Sequence, residues 1–322
     1  MQLIEGIHQI EVPTPFPVGA VNCYLLEGSP LTLIDTGVKS SLAIGTLESG
    51  LSEAGYSIED IEQICLTHGH VDHIGLARTI MNRSDRSMNV WIHQMDSERL
   101  IDYEGYIDDR MRAYHRIATE SGAPIQEGIL DSQPALARYF LKLGESVEEV
   151  RFAEDKGMIE TGLGALTVEW APGHSLGSVC YALDSKKVLF SGDHVLGDIS
   201  SNPSLDFDGI LGISLLKYFE SLEKIRKYSG YSVYPGHRNV IGDLAARIDD
   251  LLADYERKFN QTEEHLGDVP TTIYDLSRKL YGEYDSGQLI LALAETQDLV
   301  RVLESRGQAK LLTHNGILCA CK

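Results

Sequence analysis

Directly after the apolar run 61–66 the sequence reads Thr67-His68-Gly69-His70-Val71-Asp72-His73. Three imidazoles and a carboxylate within six residues are too many titratable groups to be set at a strand end for packing, because buried polar groups cost free energy unless something pairs with them. Neutral imidazole and carboxylate are the donors that borderline-soft divalent metals take, and their density here predicts more than one ion.

Three later segments repeat one local design, in which an apolar strand runs into a glycine turn and then a metal-type ligand. Residues 166–170 precede Ala171-Pro172-Gly173-His174, residues 188–190 precede Ser191-Gly192-Asp193, and residues 231–234 precede Pro235-Gly236-His237. Glycine lets the backbone turn sharply where a strand stops, so the next side chain projects over the sheet edge. Each would be an ordinary turn alone. Together they supply His174, Asp193 and His237 from strand ends that a layered sheet can bring together.

The rest of the pattern fits such layering. Strands are expected at 7–12, 21–26, 31–34 and 61–66, with the alternate prolines Pro13, Pro15 and Pro17 breaking the first ladder. Between them Leu42, Ile44, Leu47 and Leu51 fit a helix over 40–54 closed by Gly55. Strands alternating with helices predict an α/β domain. From 96 to 149 the sequence turns polar and helix-favouring, with Tyr103, Tyr106, Tyr114 and Tyr139. It reads as a helical insertion, either a solvated cap or a lid whose aromatics help form a pocket. Strands follow at 166–170, 179–183, 188–190 and 232–234, with helices at 211–228 and 243–259. Beyond 259 a helix opening at Pro270, another after Gly287, and a hairpin turned at Asn315-Gly316 outline a winged-helix-like module. The expected division is therefore a catalytic domain over 1–259 and a small module over 260–322.

Charge narrows the function. Across 322 residues, 28 Lys and Arg face 48 Asp and Glu, a formal charge of −20, which repels polyanions at long range. The segment from Glu256 onward has no basic stripe, so DNA reading by the module is disfavoured. Nucleic acid is an unlikely partner without being excluded, a homodimer is left open, and the expected partner is a small-molecule substrate. No apolar run approaches a bilayer span and residues 1–10 lack the features of a signal peptide, so the expectation is a cytoplasmic protein without a membrane partner. Five cysteines, Cys23, Cys65, Cys180, Cys319 and Cys321, do not suggest a disulfide framework. Cys65 and Cys180 fall in expected strands, where burial makes thiols inert. Cys319 and Cys321 are read as two thiols at a frayed terminus without further ligands. His8, His93, His115, His265 and His314 have no ligand partner by motif and are read as ordinary.

With these residues in view, the chain resembles the metallo-β-lactamase-fold hydrolases over roughly 3–259. The first cluster matches their H-x-H-x-D-H motif, and Asp35-Thr36-Gly37, Gly173-His174, Gly192-Asp193 and Gly236-His237 match the other motifs in order. The resemblance implies a four-layer αββα sandwich. It also implies that His68, His70 and His174 hold one divalent ion, Asp72, His73 and His237 a second, with Asp193 bridging them. The ions would be zinc, with iron or manganese as alternatives. Asp35 would orient the ligand loop without binding metal, and His194, next to Asp193, is expected behind the ligands or in a structural role. The tail resembles the C-terminal winged-helix module of one branch of the superfamily.

The resemblance further implies a dinuclear hydrolase that uses a metal-bridging hydroxide on a small ester, thioester or lactone, with Asp72 as both ligand and catalytic residue. Gly69 stands where the flavodiiron members carry a metal-binding glutamate, and Asp193 where true β-lactamases carry cysteine or serine, so di-iron redox chemistry and antibiotic hydrolysis are disfavoured. An endoribonuclease or phosphodiesterase of the same fold is the first alternative. A mononuclear iron sulfur dioxygenase and a non-catalytic regulator follow it. The polar segment 197–208, with Asp198, Ser200, Asn202, Asp206 and Asp208, reads as an active-site loop.

Overall fold

A computed structural model describes the chain except residues 85–86, 125–128, 205–208 and 284–286. Asp206 and Asp208 of the expected active-site loop lie outside the described residues. The first sheet holds β1 (Gln2–Ile4), β2 (Ile7–Val12), β3 (Val21–Leu26), β4 (Thr32–Ile34), β5 (Gln63–Cys65), β6 (Asn89–Ile92) and β7 (Arg151–Phe152), side by side in chain order. The second holds β8 (Met158–Thr161), β9 (Gly164–Trp170), β10 (Val179–Leu183), β11 (Val188–Gly192) and β12 (Ser232–Pro235), also in chain order.

Period-two alternation builds the layers. In β3, Tyr24 and Leu26 face the apolar slab between the sheets, while Cys23 and Leu25 face outward. In β10, Val179, Tyr181 and Leu183 face inward and Cys180 and Ala182 outward. Helices α1 (Ser41–Glu53), α2 (Val71–Ile74) and α3 (Ala77–Arg83) cover the outer face of the first sheet through Leu47, Leu51 and Ile80. Next in the chain come α4 (Glu98–Ile101), α5 (Tyr103–Glu120) and α6 (Ile129–Phe140), and then α7 (Ser214–Ile225) and α8 (Leu244–His265). The last two cover the outer face of the second sheet through Leu215, Leu222, Leu244 and Ile248. The result is helix, sheet, sheet, helix.

Helix α1 shows how local chemistry sets an element: Ser40 caps it by accepting from Ala43 N–H at 3.1 Å, and Gly55 follows at φ +87°. Strand β8 escaped the sequence reading because its apolar and polar residues alternate over only four positions. The insertion is helical as expected, but its tyrosines divide. Tyr103 is core, donating to Phe140 C=O at 2.7 Å, whereas Tyr139 is exposed.

Helix α8 runs unbroken through position 259 to His265, so the expected boundary falls inside a helix. After it come β13 (Thr271–Thr272), α9 (Ile273–Tyr281), α10 (Leu289–Ser305), β14 (Lys310–His314) and β15 (Ile317–Cys321), with sheet order β13-β15-β14. The hairpin turns at Asn315 and Gly316, with φ +50° and +81°, the pair of positive φ values that a two-residue hairpin turn needs. Cys319 and Cys321 are buried in the central strand of this sheet, which corrects the frayed-terminus reading. All five cysteines are free and buried, and burial pushes the Cys65 and Cys180 thiols well up. Among the described residues no helix is long and apolar enough to cross a membrane.

The C-terminal elements share one apolar cluster with α7, α8 and the second half of α5. Tyr274 N–H donates to Ser121 C=O at 2.9 Å and Gln297 Nε2 to Ser121 Oγ at 3.0 Å, which joins the tail to the end of α5. Asp298 of α10 accepts from Leu215 N–H at 3.2 Å, in the first turn of α7, and faces Arg301 Nη1 at 3.3 Å. Burial nevertheless dominates and pushes its carboxyl up to about 6.

Because that value lies above the unfolded one, the protonated form favours folding at low pH, and this contribution is lost as pH rises through about 6. Relative to Asp298→Asn, the wild type is therefore expected to lose up to about 2–3 kcal/mol between pH 4 and 7. Urea denaturation of both proteins across that range checks it, and a constant difference would refute the assignment.

Candidate metal centre

The site lies where five strand ends open onto one edge of the sandwich. It starts from Asp35, which follows β4 with φ +58°, a left-handed conformation that costs a non-glycine residue free energy. In return its carboxylate accepts from Thr67 N–H, Thr67 Oγ1 and His73 Nδ1, each at 2.8 Å. The first two bonds fix the start of the ligand loop, and the third leaves His73 Nε2 as the atom that points into the site.

The other imidazoles are held the same way. His237 Nδ1 donates to Ala20 C=O at 2.7 Å, and His174 Nδ1 donates to Ser201 C=O. Thr67 Oγ1 gives its proton to Asp35, so His68 Nδ1 donates to Thr67 Oγ1 at 3.1 Å. Such bonds set the tautomer and leave the opposite nitrogen bare.

The bare atoms converge. His174 Nε2 lies 3.2 Å from His68 Nε2 and 2.9 Å from His70 Nδ1. Asp193 Oδ1 lies 3.5 Å from His73 Nε2, and Asp193 Oδ2 lies 3.5 Å from His237 Nε2 and 3.6 Å from His174 Nε2. Asp72 Oδ2 is 3.4 Å from His237 Nε2. Three groups have ligand atoms within 4.8 Å of one another: His68, His70, His174; His68, His73, Asp193; and Asp72, His73, His237. All seven side chains singled out in the sequence meet here, with Asp193 between the two outer triads.

Glycines make room for this convergence. A Cβ on Gly236 would lie 2.3 Å from Asp193 Oδ1 and 2.8 Å from His73 Cε1, so only glycine lets the chain pass beneath that carboxylate. Gly192 has φ +50°, and a Cβ there would lie 2.6 Å from Thr67. The edge is also stitched between sheets: Val179 N–H donates to Thr67 C=O at 2.8 Å, and Asn22 N–H to Gly236 C=O at 2.6 Å.

Burial and electrostatics suit metal cations. His73 Nε2, His237 Nε2 and Asp193 Oδ1 are buried without a hydrogen-bond partner; three orphaned acceptor-capable atoms aimed at one place are what a divalent ion satisfies. Burial, followed by the neighbouring imidazoles, holds His68 and His70 well below the usual histidine range, neutral as ligands must be. Burial alone would lower His73 and His237 and raise Asp193, but the Asp193, Asp35 and Asp72 carboxylates outweigh it and push both imidazoles up, while these in turn hold Asp193 far below the carboxylate range; a bound cation would take the place of their protons.

Two further buried residues lie beside the ligands, one of which the sequence did not mark. Asp96, the unmarked one, is fully buried and accepts from Gly69 N–H at 2.7 Å, Ser175 Oγ at 2.6 Å and Gly177 N–H at 3.0 Å. It thereby ties the loop of His68 and His70 to the turn of His174. Its only sequence signal was an aspartate at the start of a helical stretch. His194 is buried with its ring edge-on to Tyr218 at 5.1 Å, and neither ring nitrogen has a partner. Burial pushes it down to about 3, and it belongs to none of the three ligand groups. His93 stacks on Trp170 at 5.4 Å and His8 meets Glu27 at 2.7 Å, away from the cluster.

The sequence profile "Metallo-beta-lactamase superfamily" matches residues 16–237. A Bacillus subtilis (strain 168) protein named "Probable metallo-hydrolase YqjP" is 28% identical over 94% of this chain and 93% of its own length. The "Atrochrysone carboxyl ACP thioesterase dmxR1" of Cryptosporiopsis sp. (strain 8999) is 23% identical over 95% of this chain and 81% of its own. Among solved structures, a metallo-beta-lactamase family protein from Thermus thermophilus superposes with a TM-score of 0.83 at 25% identity, covering 99% of both chains.

If Asp35 positions His73, then Asp35→Asn, which loses an acceptor oxygen, lowers the unfolding midpoint and in the protein that remains folded weakens metal retention about 10–100-fold. Competition with a chelator, followed by elemental analysis, measures this; unchanged retention would remove Asp35 from the role.

Proposed function

Because the chain belongs to the metallo-β-lactamase superfamily, in which it stands as a metal-dependent hydrolase, we propose that it cleaves a small ester or thioester at a dinuclear centre. His68, His70 and His174 would hold one divalent ion and Asp72, His73 and His237 the other, with Asp193 shared. Zinc is proposed as the native metal, iron and manganese being compatible with the same donors. The observation that carries the reading is the convergence of two three-residue ligand groups on one carboxylate, with three of their atoms buried and unpartnered.

Bound there, such ions lower the pKa of water to near neutrality and polarise a carbonyl oxygen. The chain does the rest. Asp35, Ala20 and Ser201 hold the imidazoles in the tautomers that face the centre. The Asp72 carboxyl, which burial alone would raise, is held low by the adjoining His237 and His73 imidazoles, so it stays ionised. It would accept the proton of the attacking water at its carboxylate oxygen and deliver it to the leaving group. The buried thiols Cys65 and Cys180 take no part.

A thioester is favoured over other acyl groups by the name of the thioesterase relative. The tail has the element order of a winged helix, one strand and two helices before a hairpin, and we propose that residues 260–322 act as such a module in shaping the site. The substrate would be a small molecule.

Protein purified from metal-replete medium is expected to carry about two metal equivalents and to turn over members of a panel of thioesters, esters and lactones. Asp72→Asn should lower kcat at least about 100-fold with little change in unfolding midpoint, and Asp193→Ala should abolish turnover and lower metal content. Single-stranded RNA cleavage without acyl hydrolysis would overturn the substrate class, and full activity in Asp193→Ala would overturn the site.

A further inference from the structure

The least buried of the proposed ligands is His70, which is partly buried while the other six are buried. Next to it sits a cationic and aromatic group from the helical insertion that the metal chemistry does not use. Arg99 lies along Gly69, between His68 and His70, so closely that a Cβ on Gly69 would be 2.6 Å from Arg99 Cδ. Its guanidinium lies 5.1 Å from the ring centre of Tyr106, and on the same ring, 5.9 Å away, lies the guanidinium of Arg110. Arg110 donates to the Tyr106 hydroxyl at 2.5 Å and the Tyr114 hydroxyl at 2.6 Å, with the Tyr114 ring at 5.2 Å.

Two arginines beside a metal site need a reason. Arg99 has one carboxylate near it, Asp96 at 3.4 Å, but that group already accepts three shorter bonds from Gly69, Ser175 and Gly177. Its Nη1 is buried with no partner. Arg110 has no carboxylate partner among the described residues, in a protein with 48 acidic residues to draw on. An arrangement of this kind is stabilised when an anion arrives to share it, and the planar fork of arginine matches a carboxylate or phosphate.

We infer that Arg99 and Arg110, with the Tyr106 and Tyr114 hydroxyls, bind an oxyanion carried by the substrate, a carboxylate or a phosphate on the part of the molecule that lies toward His70. This rests on the hydrolase reading for the bond that is cleaved, and it adds that the substrate is an anion. The insertion is then a specificity element, and Arg99 and Arg110 are substrate-positioning residues.

The test uses the metal-loaded protein and two matched pairs of thioesters. Glutaryl against pentanoyl on N-acetylcysteamine places the carboxylate in the acyl part, and acetyl on 4′-phosphopantetheine against acetyl on pantetheine places a phosphate in the leaving group. In at least one pair the anionic member is expected to have kcat/KM higher by about tenfold or more, chiefly through KM. That ratio should fall toward unity in Arg110→Gln and to an intermediate value in Arg110→Lys, which keeps the charge and the aromatic stacking if the glutamine variant does not fold. Metal content should be unchanged in both. The pair that responds tells which anion is read. Equal turnover within both pairs, or a ratio unaffected by either variant, overturns the inference and leaves the hydrolase reading in place. If no thioester is cleaved, binding of two uncleavable thioether pairs decides: S-(4-carboxybutyl) against S-pentyl on N-acetylcysteamine, and S-ethyl on 4′-phosphopantetheine against S-ethyl on pantetheine. Tighter binding of an anionic member, lost in the variants, sustains the anion site while the thioesterase reading falls; equal binding within both pairs overturns the anion site as well.

Discussion

The hydrogen bonds from Thr67 and His73 to the Asp35 carboxylate are the interaction on which the rest of the centre depends. One buried side chain joins the end of β4, the end of β5 and the first turn of α2. Its backbone is strained at φ +58°, and the strain is held because the carboxylate is fully engaged on three donors. From that point the order propagates outward. Thr67, fixed by Asp35, orients His68 and offers its carbonyl to Val179, which brings the second sheet into register with the first at the edge where the ligands emerge.

The two sheets meet through apolar slabs, but the ligand edge is held by polar contacts of exact reach. Tyr24 and Asn22 of β3 both donate to Pro235 C=O, and Tyr181 of β10 donates to Leu66 C=O. Buried hydroxyls and amides placed at a strand end in this way cost desolvation unless every one is satisfied. Their satisfaction fixes one relative position of the sheets, which apolar packing alone specifies less sharply.

Much of this was legible in the sequence because it rests on short-range rules. The strands expected at 7–12, 21–26 and 179–183 coincide with β2, β3 and β10, and the glycine turns marked where His174, Asp193 and His237 leave the sheets. Asp35 could be placed behind the ligands from its motif. What the sequence hid is set by distance. Asp96 lies in the insertion, and its partners Gly69, Ser175 and Gly177 come from two other turns, so nothing local marks it. The pairing of Arg99 with Arg110 across Tyr106 depends on how α4 packs on α5. The limit set at 259 followed a change in composition, but the apolar stripe of α8 continues through Phe259 and Thr262.

The chain distance between ligands also bears on when the centre can exist. His174 meets His68 across 106 positions of sequence, and His237 comes later still. A chain leaving the ribosome carries its first histidine cluster exposed for the whole time that the second sheet is being made. Residues 68–73 alone offer a loose, partial set of donors, and the tight cage closes only when β12 has joined its sheet. Residues 68–73 present four of the seven donors, so the full constellation exists only once synthesis has passed β12.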